Sequence, residues 1–493
     1  MKKYSLEVAV FLCGACLMVL ELVGSRVLAP YVGTSIVVWT TLIGVVMGFL
    51  SLGYWYGGRL ADKSADPRTL SAVIFAASIL VFFVILTNSW LLEAIQKTIH
   101  NIYLGSFLAT LMIFSLPSFL LGIVSPYAAR LKMSSLDSSG STVGNLYAIS
   151  TVGSIVGTFS AGFILIPFLG TSRVLYSVAI VLMIVSLIVY SGKFFKVRAL
   201  FSFLLFAALL VSLWLSLKSG PDKLVDLDTQ YSRIRIFPGQ PVDHRPVLNL
   251  QTDPFSVQSG MFLDKDDDLV FRYTKYYRLA DYFNPDIKQA LVIGGAAYSY
   301  PKDFLKKHGE AFLDVVEIDP GMTKAAKKYF NFPDSDRLSV FHDDGRVFLN
   351  RNKKKYDAIY IDAFNSQMSI PYQLTTREAV ERMYDSLSDD GVVIVNVISA
   401  IDGQNGRFLR AEYATYQDVF PQLFLFQVYQ MDPARHQNLI LVGLKKKWSG
   451  GLRADSAELK GYLDLHWRRP IDADMPILTD DYAPVDYYTM GLM

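Results

Sequence analysis

The sequence predicts two folds in one chain: a multi-pass α-helical membrane domain, then an α/β domain built on a parallel, Rossmann-like sheet. Long apolar stretches dominate the chain before Lys218. After it come four short runs, ALVIGG (290–295), FLDVVEID (312–319), LSVFHDDG (338–345) and YDAIYID (356–362), rich in Val, Ile and Phe and separated by helix-like segments. Short apolar runs alternating with helices are the pattern of parallel strands buried on both faces. Each run also ends in glycine or carboxylate residues, and ligands of such sheets sit beyond the carboxyl ends of the strands.

The chain of 493 residues is too long for one ordinary domain, and its 52% hydrophobic content is high for a soluble protein. Three domains are expected: membrane spans over 1–217, a small β subdomain with a linking helix over 218–285, and the main sheet over 286–493. Seven stretches are long enough to cross about 30 Å of hydrocarbon, at about 5–28, 35–58, 70–92, 103–129, 143–169, 173–191 and 198–217. The first is too long, and too poor in a small-residue cleavage site, for a signal peptide. Lys2, Lys3, Arg59, Lys63, Arg68, Arg130, Lys132, Lys193, Lys196 and Arg198 fall in one set of loops, against little more than Lys97 and Arg173 in the other. The positive-inside rule then places the N-terminus in the cytoplasm, and seven spans would leave the soluble half outside. Nucleotide supply argues for the cytoplasmic side, which follows if a span near 103–132 or 145–170 is re-entrant or broken. A multi-pass cell-membrane protein is expected, with the orientation open.

Glu21 and Arg26 are the ionisable residues to weigh inside the spans, since charge at membrane depth is costly. In span five Ser150, Gly153, Ser154, Gly157, Ser160 and Ala161 are small, and small residues let membrane helices approach closely. Cys13 and Cys16 both lie in span one, so the soluble half has no thiolate chemistry. The six histidines show no ligand spacing, so no metal is expected. A net charge of +2 implies no nucleic-acid partner.

The soluble half opens at KSGPDKLVD (218–226), where apolar character drops. SRIRIF and PVLNLQ read as short strands of a small β subdomain, and DDLVFRYTKYYRLADYF as a helix leading into the main sheet. After Asp362, the loop AFNSQMSIPYQ precedes a helix near 375–387, the strand GVVIVNVIS, a helix near 406–419, and the strands LFLFQVY and NLILVGL. Seven strands with the last two closely spaced match a class I methyltransferase-type sheet.

Gly294 and Gly295 end the first strand of that sheet, where glycine lets backbone approach a ligand and the next helix N-terminus favours negative charge. Glu317, followed by Asp319, ends the second, where a carboxylate can take the hydroxyls of a ribose. Asp344, followed by Gly345, ends the third, where it can accept from an adenine amino group. Either acid could equally cap a helix. Asp362 ends the fourth, just before the loop AFNSQMSIPYQ, whose Tyr372 is a further candidate site residue.

At VIGGAAYSYP, VVEIDPG, DDGRVFL, YDAIYIDAF, IPYQLTTRE and LTDDYAPVD the chain resembles the spermidine synthase family, and more closely its membrane-fused members. The resemblance implies an S-adenosylmethionine-type donor, usually decarboxylated, and transfer of an aminopropyl group to an amine. It implies that Glu317 holds the ribose, Asp344 the adenine, and Asp362 the amine proton. The chain also departs from the family. Ala297 stands where the family carries an acid in the glycine loop, with Ala296 replacing a glycine. Asn365 stands at the second acid position, and Phe271-Arg272-Tyr273 replaces Tyr-x-Glu, which makes Tyr273 and Asn365 the substrate-side residues. Each lost carboxylate removes a charge-assisted bond of roughly 1.5–3 kcal/mol to a cationic amine. A membrane-anchored transferase is therefore expected, aminopropyl transfer being the family default. Methyl transfer to a membrane-delivered acceptor is the alternative, or a transporter or sensor that binds a polyamine or nucleoside without turnover. The expected partners are a small amine or membrane-delivered acceptor and the bilayer, with a homo-oligomer left open.

Overall fold

The computed structural model describes residues 4–489, except 34, 100, 134–138, 191–199, 202, 205, 209, 212–224, 230, 253–255, 266–267 and 364–369. The chain divides into two compact units, Met1–Arg233 and Ile234–Met493.

The first unit contains helices α1 (Ser5–Val32), α2 (Ile36–Lys63), α3 (Pro67–Thr98), α4 (Ile102–Lys132), α5 (Ser139–Ser160) and α6 (Thr171–Val189). Beyond α5 the chain stays helical through a π turn, Ala161–Leu165, and a last turn, Ile166–Leu169. Among the described residues six helices are long and apolar enough to cross a membrane. The seventh expected span, 198–217, falls largely outside the described residues. A break in the fourth or fifth span is not what the structure has: α4 runs unbroken through Pro117 and Pro126, and 139–169 is helical throughout.

Small residues are where these helices meet. A Cβ on Gly153 would lie 2.1 Å from the Phe11 carbonyl oxygen of α1, and one on Gly157 would lie 2.4 Å from that of Ala15. Gly53 of α2 meets α4 in the same way, 2.2 Å from the Phe119 carbonyl oxygen. The small residues of span five thus serve close packing. Hydroxyls add cross-links from α3 to α6: Ser71 donates to the Ser186 carbonyl (2.6 Å) and Ser78 to that of Ala179 (2.7 Å). A short strand β1 (Val225–Asp228) follows, and its Asp228 accepts from the Thr171 amide at the start of α6 (2.7 Å).

The second unit carries β2 (Arg233–Pro238), β3 (Val247–Gln251) and β4 (Ser259–Phe262), paired antiparallel in that order. The linking helix is shorter than expected. Residues 268–271 are not helical; Arg272–Lys275, a 3₁₀ turn over Tyr276–Arg278 and Leu279–Phe283 follow. Leu269 and Val270 are both buried but enter different apolar clusters, which suits extended chain, where neighbours point to opposite sides.

The main sheet comprises β5 (Gln289–Ile293), β6 (Phe312–Val316), β7 (Leu338–Phe341), β8 (Tyr356–Ile361), β9 (Leu387–Ser399), β10 (Gln422–Gln427) and β11 (Gln437–Leu444), in the order β10-β11-β9-β8-β5-β6-β7. Strands β5 to β9 are parallel, while β11 pairs antiparallel with β9 and β10 with β11. Helices α7 (Ser299–Lys307), α8 (Pro320–Tyr329), α9 (Gly345–Arg351), α10 (Arg377–Ser386) and α11 (Arg407–Val419) connect them. Strand order reverses at β5, so the crevice between β5 and β8 is the switch point where such sheets bind ligands.

Glu412 of α11 is 3% exposed, and its Oε2 has no hydrogen-bond partner among the described residues. Burial raises its pKa well above the usual carboxylate range. The stability tied to its neutral form is complete below the unfolded value, about 4.3. It is lost as pH rises through the folded value. Glu412→Gln keeps the shape without the charge. Thermal unfolding of the detergent-solubilised protein at pH 8 is expected to show a gain of a few degrees over wild type, on the scale of about 1 kcal/mol in a domain of this size, and the gain disappears at pH 4.

Candidate active site

The site is built by register. Ile293 pairs with Val316 and with Ile361, Val316 with Phe341, and Ile361 with Val395. One residue further on, the chain places Gly294, Glu317, His342, Asp362 and Asn396 in a row along the carboxyl ends of the strands. The pairing continues past the strands: the Gly294 amide donates to the Val316 carbonyl, that of Glu317 to Phe341, and that of Asp362 to Ile293, at 2.9–3.0 Å.

Glu317 ties the glycine turn down. It is 7% exposed, and its Oε2 accepts from the Gly295 amide (2.8 Å) and the Ala296 amide (3.1 Å) while its Oε1 accepts from the Asp319 amide (2.9 Å). Burial raises its pKa against the opposing pull of those three amides. The turn is tight: Gly294 has φ +97°, and Ala296 and Tyr298 also have positive φ. The Tyr298 ring lies against Gly295, stacks on Phe332 at 4.0 Å, and shares a hydrogen bond with Thr323 (2.6 Å). Ala297 is fully buried, and its amide donates to the Ser259 hydroxyl (3.2 Å).

Asp319 and Asp344 do cap helices. Asp319 accepts from the Gly321 amide (2.8 Å) at the head of α8. Asp344 Oδ1 accepts from the Arg346 amide (2.8 Å) and the Val347 amide (3.1 Å) at the head of α9. Its Oδ2 is met by the Gln373 side-chain amide at 3.3 Å. Gly345 is buried where a Cβ would lie 2.7 Å from the Ile293 side chain, so α9 must start with glycine to sit under the end of β5.

Asp362 is the centre of the row. Its Oδ1 accepts from the Asn396 side-chain amide (3.0 Å), and the Asn396 oxygen in turn accepts from Asn438 on β11 (3.0 Å). Its Oδ2 faces the Tyr273 hydroxyl at 3.4 Å. Burial raises the Asp362 pKa; Asn396, Tyr277 and Tyr273 pull the other way. The pocket it faces is lined by the glycine turn on one side and by Phe271, Tyr273, Tyr277 and Tyr300 on the other.

The structure thus brings together Gly294, Gly295, Glu317, Asp362 and Tyr273. Asp319, Asp344 and Gly345 stand at neighbouring strand ends, Tyr372 is exposed in a 3₁₀ turn and does not line this pocket, and Asn365 lies outside the described residues. Asn396, Asn438 and Tyr277 escaped the reading of the sequence. The signal for Asn396 was available: it is the polar residue inside the otherwise apolar run VVIVNVIS.

A mixed sheet in this order, with acids in register beyond its parallel strands, defines a class I methyltransferase-type domain. Residues 277–420 match the spermine/spermidine synthase domain family. A polyamine aminopropyltransferase of Vibrio vulnificus is 29% identical over 248 residues, 47% of this chain and 80% of the relative. A probable polyamine aminopropyl transferase of Bifidobacterium longum is 28% identical, over 48% of this chain and 56% of its own length. Polyamine aminopropyltransferase 1 of Streptomyces coelicolor is 23% identical over 413 residues, 80% of this chain and 75% of the relative. Among solved structures, a probable spermidine synthase from Corynebacterium glutamicum aligns with TM-score 0.41 at 19% identity, over 48% of this chain and 84% of that one. The C-terminal half of the chain thus carries a match to the spermine/spermidine synthase domain, and it is similar to polyamine aminopropyltransferases, which are transferases.

The tightest constraint in the site is at Gly294, where a Cβ would lie 2.3 Å from the Asp362 carbonyl oxygen. Gly294→Ala must relieve both that clash and the positive φ. A loss of roughly 1–3 kcal/mol or more is expected in thermal unfolding, with weakened nucleoside binding by calorimetry.

Proposed function

We propose that the chain is a membrane-anchored alkyltransferase using an S-adenosylmethionine-type donor, with aminopropyl transfer to an amine as its reaction. The observation that carries this reading is Asp362: a half-buried carboxylate at the switch point, oriented by Asn396 and facing a pocket beside the glycine turn. An amine must lose a proton to form its new N–C bond as the C–S bond of a sulfonium breaks and the thioether departs. A carboxylate whose burial raises its basicity, yet which keeps donors on both oxygens, suits that proton.

The donor site has room for a nucleoside only on particular terms. A carboxylate offers about four acceptor positions. Backbone amides take three at Glu317, which leaves one for a ribose hydroxyl. Asp344 keeps Oδ2 on the Gln373 side for an adenine amino group. The donor, when bound, supplies the electrophilic carbon beside the sulfonium. Ala297 supports a second reading, transfer of a methyl group from intact S-adenosylmethionine. It is buried at the position where family members carry an acid, so the glycine turn offers no carboxylate to select a decarboxylated donor. The six apolar helices are read as the anchor, and the soluble half as cytoplasmic, where such donors are made.

Asp362→Asn is expected to lower turnover by roughly 10²–10⁴ with donor binding near normal. Wild-type turnover should rise with pH through a value above the ordinary aspartate range, because the ionised form is the base; the variant loses that limb. Full turnover in Asp362→Asn with the true acceptor would sink the assignment.

Glu317→Ala releases the turn and removes the remaining ribose acceptor. Calorimetric affinity for S-adenosylmethionine-type nucleosides should fall about tenfold or more. Unchanged affinity in both Glu317→Ala and Asp344→Ala would rule the nucleoside site out.

A further inference from the structure

Side-chain alternation carries the polar row of the site across three strands on one face of the sheet. Tyr360, Ile394 and Ile440 enter one apolar cluster, while Ile361, Val395 and Leu439 enter another. Successive residues of a strand point to opposite faces. Asp362, two beyond Tyr360, Asn396, two beyond Ile394, and Asn438, two before Ile440, therefore share the first face. The strands lie in the order β8, β9, β11, and the hydrogen bonds follow it. Asn438 donates to the Asn396 oxygen (3.0 Å), and the Asn396 amide donates to Asp362 Oδ1 (3.0 Å).

The direction of these bonds matters. Asn396 is 2% exposed, and the two ends of its amide are nearly alike in shape, so packing alone does not choose which end meets Asp362. An ionised carboxylate only accepts, so the oxygen end would meet it unfavourably. A donor at Asn438 decides the choice, because it takes the Asn396 oxygen and turns the NH2 group toward Asp362. The titratable groups that face Asp362 from the linking segment are Tyr273 and Tyr277, and both donate to it; Tyr300 of α7 lines the same pocket. Burial raises the pKa of all three well above that of a free tyrosine, so each stays a neutral phenol. The neighbours on β5 and β9, Gly294 and Asn396, do not titrate.

We propose that Asn438 is a positioning residue for the reaction: through Asn396 it holds Asp362 Oδ1 against the sheet, so that the carboxylate presents Oδ2 to the pocket as an anion ready to take the amine proton. This rests on the reading of Asp362 as the base, and it adds a residue of β11 that is not among the described residues lining the pocket. Without a donor at 438 the Asn396 oxygen is free to face Asp362, the anion is less favoured, and the Asp362 pKa rises.

Infrared difference spectra of the full detergent-solubilised chain between acid and alkaline pH, wild type against Asp362→Asn, isolate the Asp362 carboxyl band and give its midpoint without any substrate. Asn438→Leu should move that midpoint up by about one pH unit, and Asn396→Leu by at least as much. The double variant should match Asn396→Leu alone, since Asn438 acts through Asn396. If the leucine variant does not fold, Asn438→Ala removes the donor with less bulk and carries the same expectation. An unmoved midpoint overturns the proposal, as do additive shifts in the double variant, which a merely structural role would give. Turnover with decarboxylated S-adenosylmethionine and 1,4-diaminobutane should fall about tenfold in Asn438→Leu below the midpoint, the equivalent of one pH unit, and recover at alkaline pH. If the midpoints move as expected but turnover has no pH limb that Asp362→Asn removes, the relay stands and the assignment of Asp362 as base falls.

Discussion

One buried carboxylate holds the site in shape. Glu317 accepts three backbone amides, two from the turn after β5 and one from the head of α8. Without those bonds the turn, which includes two non-glycine residues at positive φ, would lack its main compensation for strain. With them, the turn closes so tightly on β8 that Gly294 cannot carry a side chain without meeting the Asp362 backbone. The geometry of the proposed base is therefore inherited from an acid two strands away, at the end of β6, through the turn after β5 that lies between them.

The same bonds limit what the donor can do. In this chain Glu317 is mainly a structural acceptor with one position left over. Its deletion is thus expected to disturb the turn as well as any ribose. Asp344 is similarly divided, with one oxygen committed to the cap of α9 and the other facing Gln373. Each acid serves the fold and leaves a single lone-pair direction toward a ligand, which suits a nucleoside held by a few well-aimed bonds more than by charge.

The sheet was legible because its strands are short, apolar and β-branched, and their ends carry the polar residues; β5, β6, β7 and β8 fall on the four runs that the sequence marks. The long apolar helices were legible from length and hydropathy alone. Helix capping at Asp319 and Asp344 could not be separated from ligand binding, because an acid after a strand satisfies either role and only the neighbouring amides decide. The stretch at 268–271 misled because its apolar residues fit a helical pattern while Leu269 and Val270 pack into separate clusters. Asn396 and Tyr277 were invisible for another reason: their roles depend on which strand lies next to β8 and on which residue of the linking segment faces the crevice, and both are set by long-range packing.

The surroundings of Asp362 resolve a conflict that any buried base faces. Burial favours the neutral form, which cannot take a proton; full solvation would leave a carboxylate too weakly basic to help an amine. Here burial raises the pKa while the Asn396 amide, on one oxygen, and the Tyr273 hydroxyl, on the other, both favour the anion. Asn438 keeps Asn396 turned the right way by occupying its oxygen, so the amide end must face Asp362. A second carboxylate in the Tyr273 position would couple to Asp362 and push one of the pair toward neutrality at the pH where the other ionises. A phenol supplies a hydrogen bond without that coupling. Tyr273 beside Asp362 thus suits the proposed role of a single base better than a second charge would.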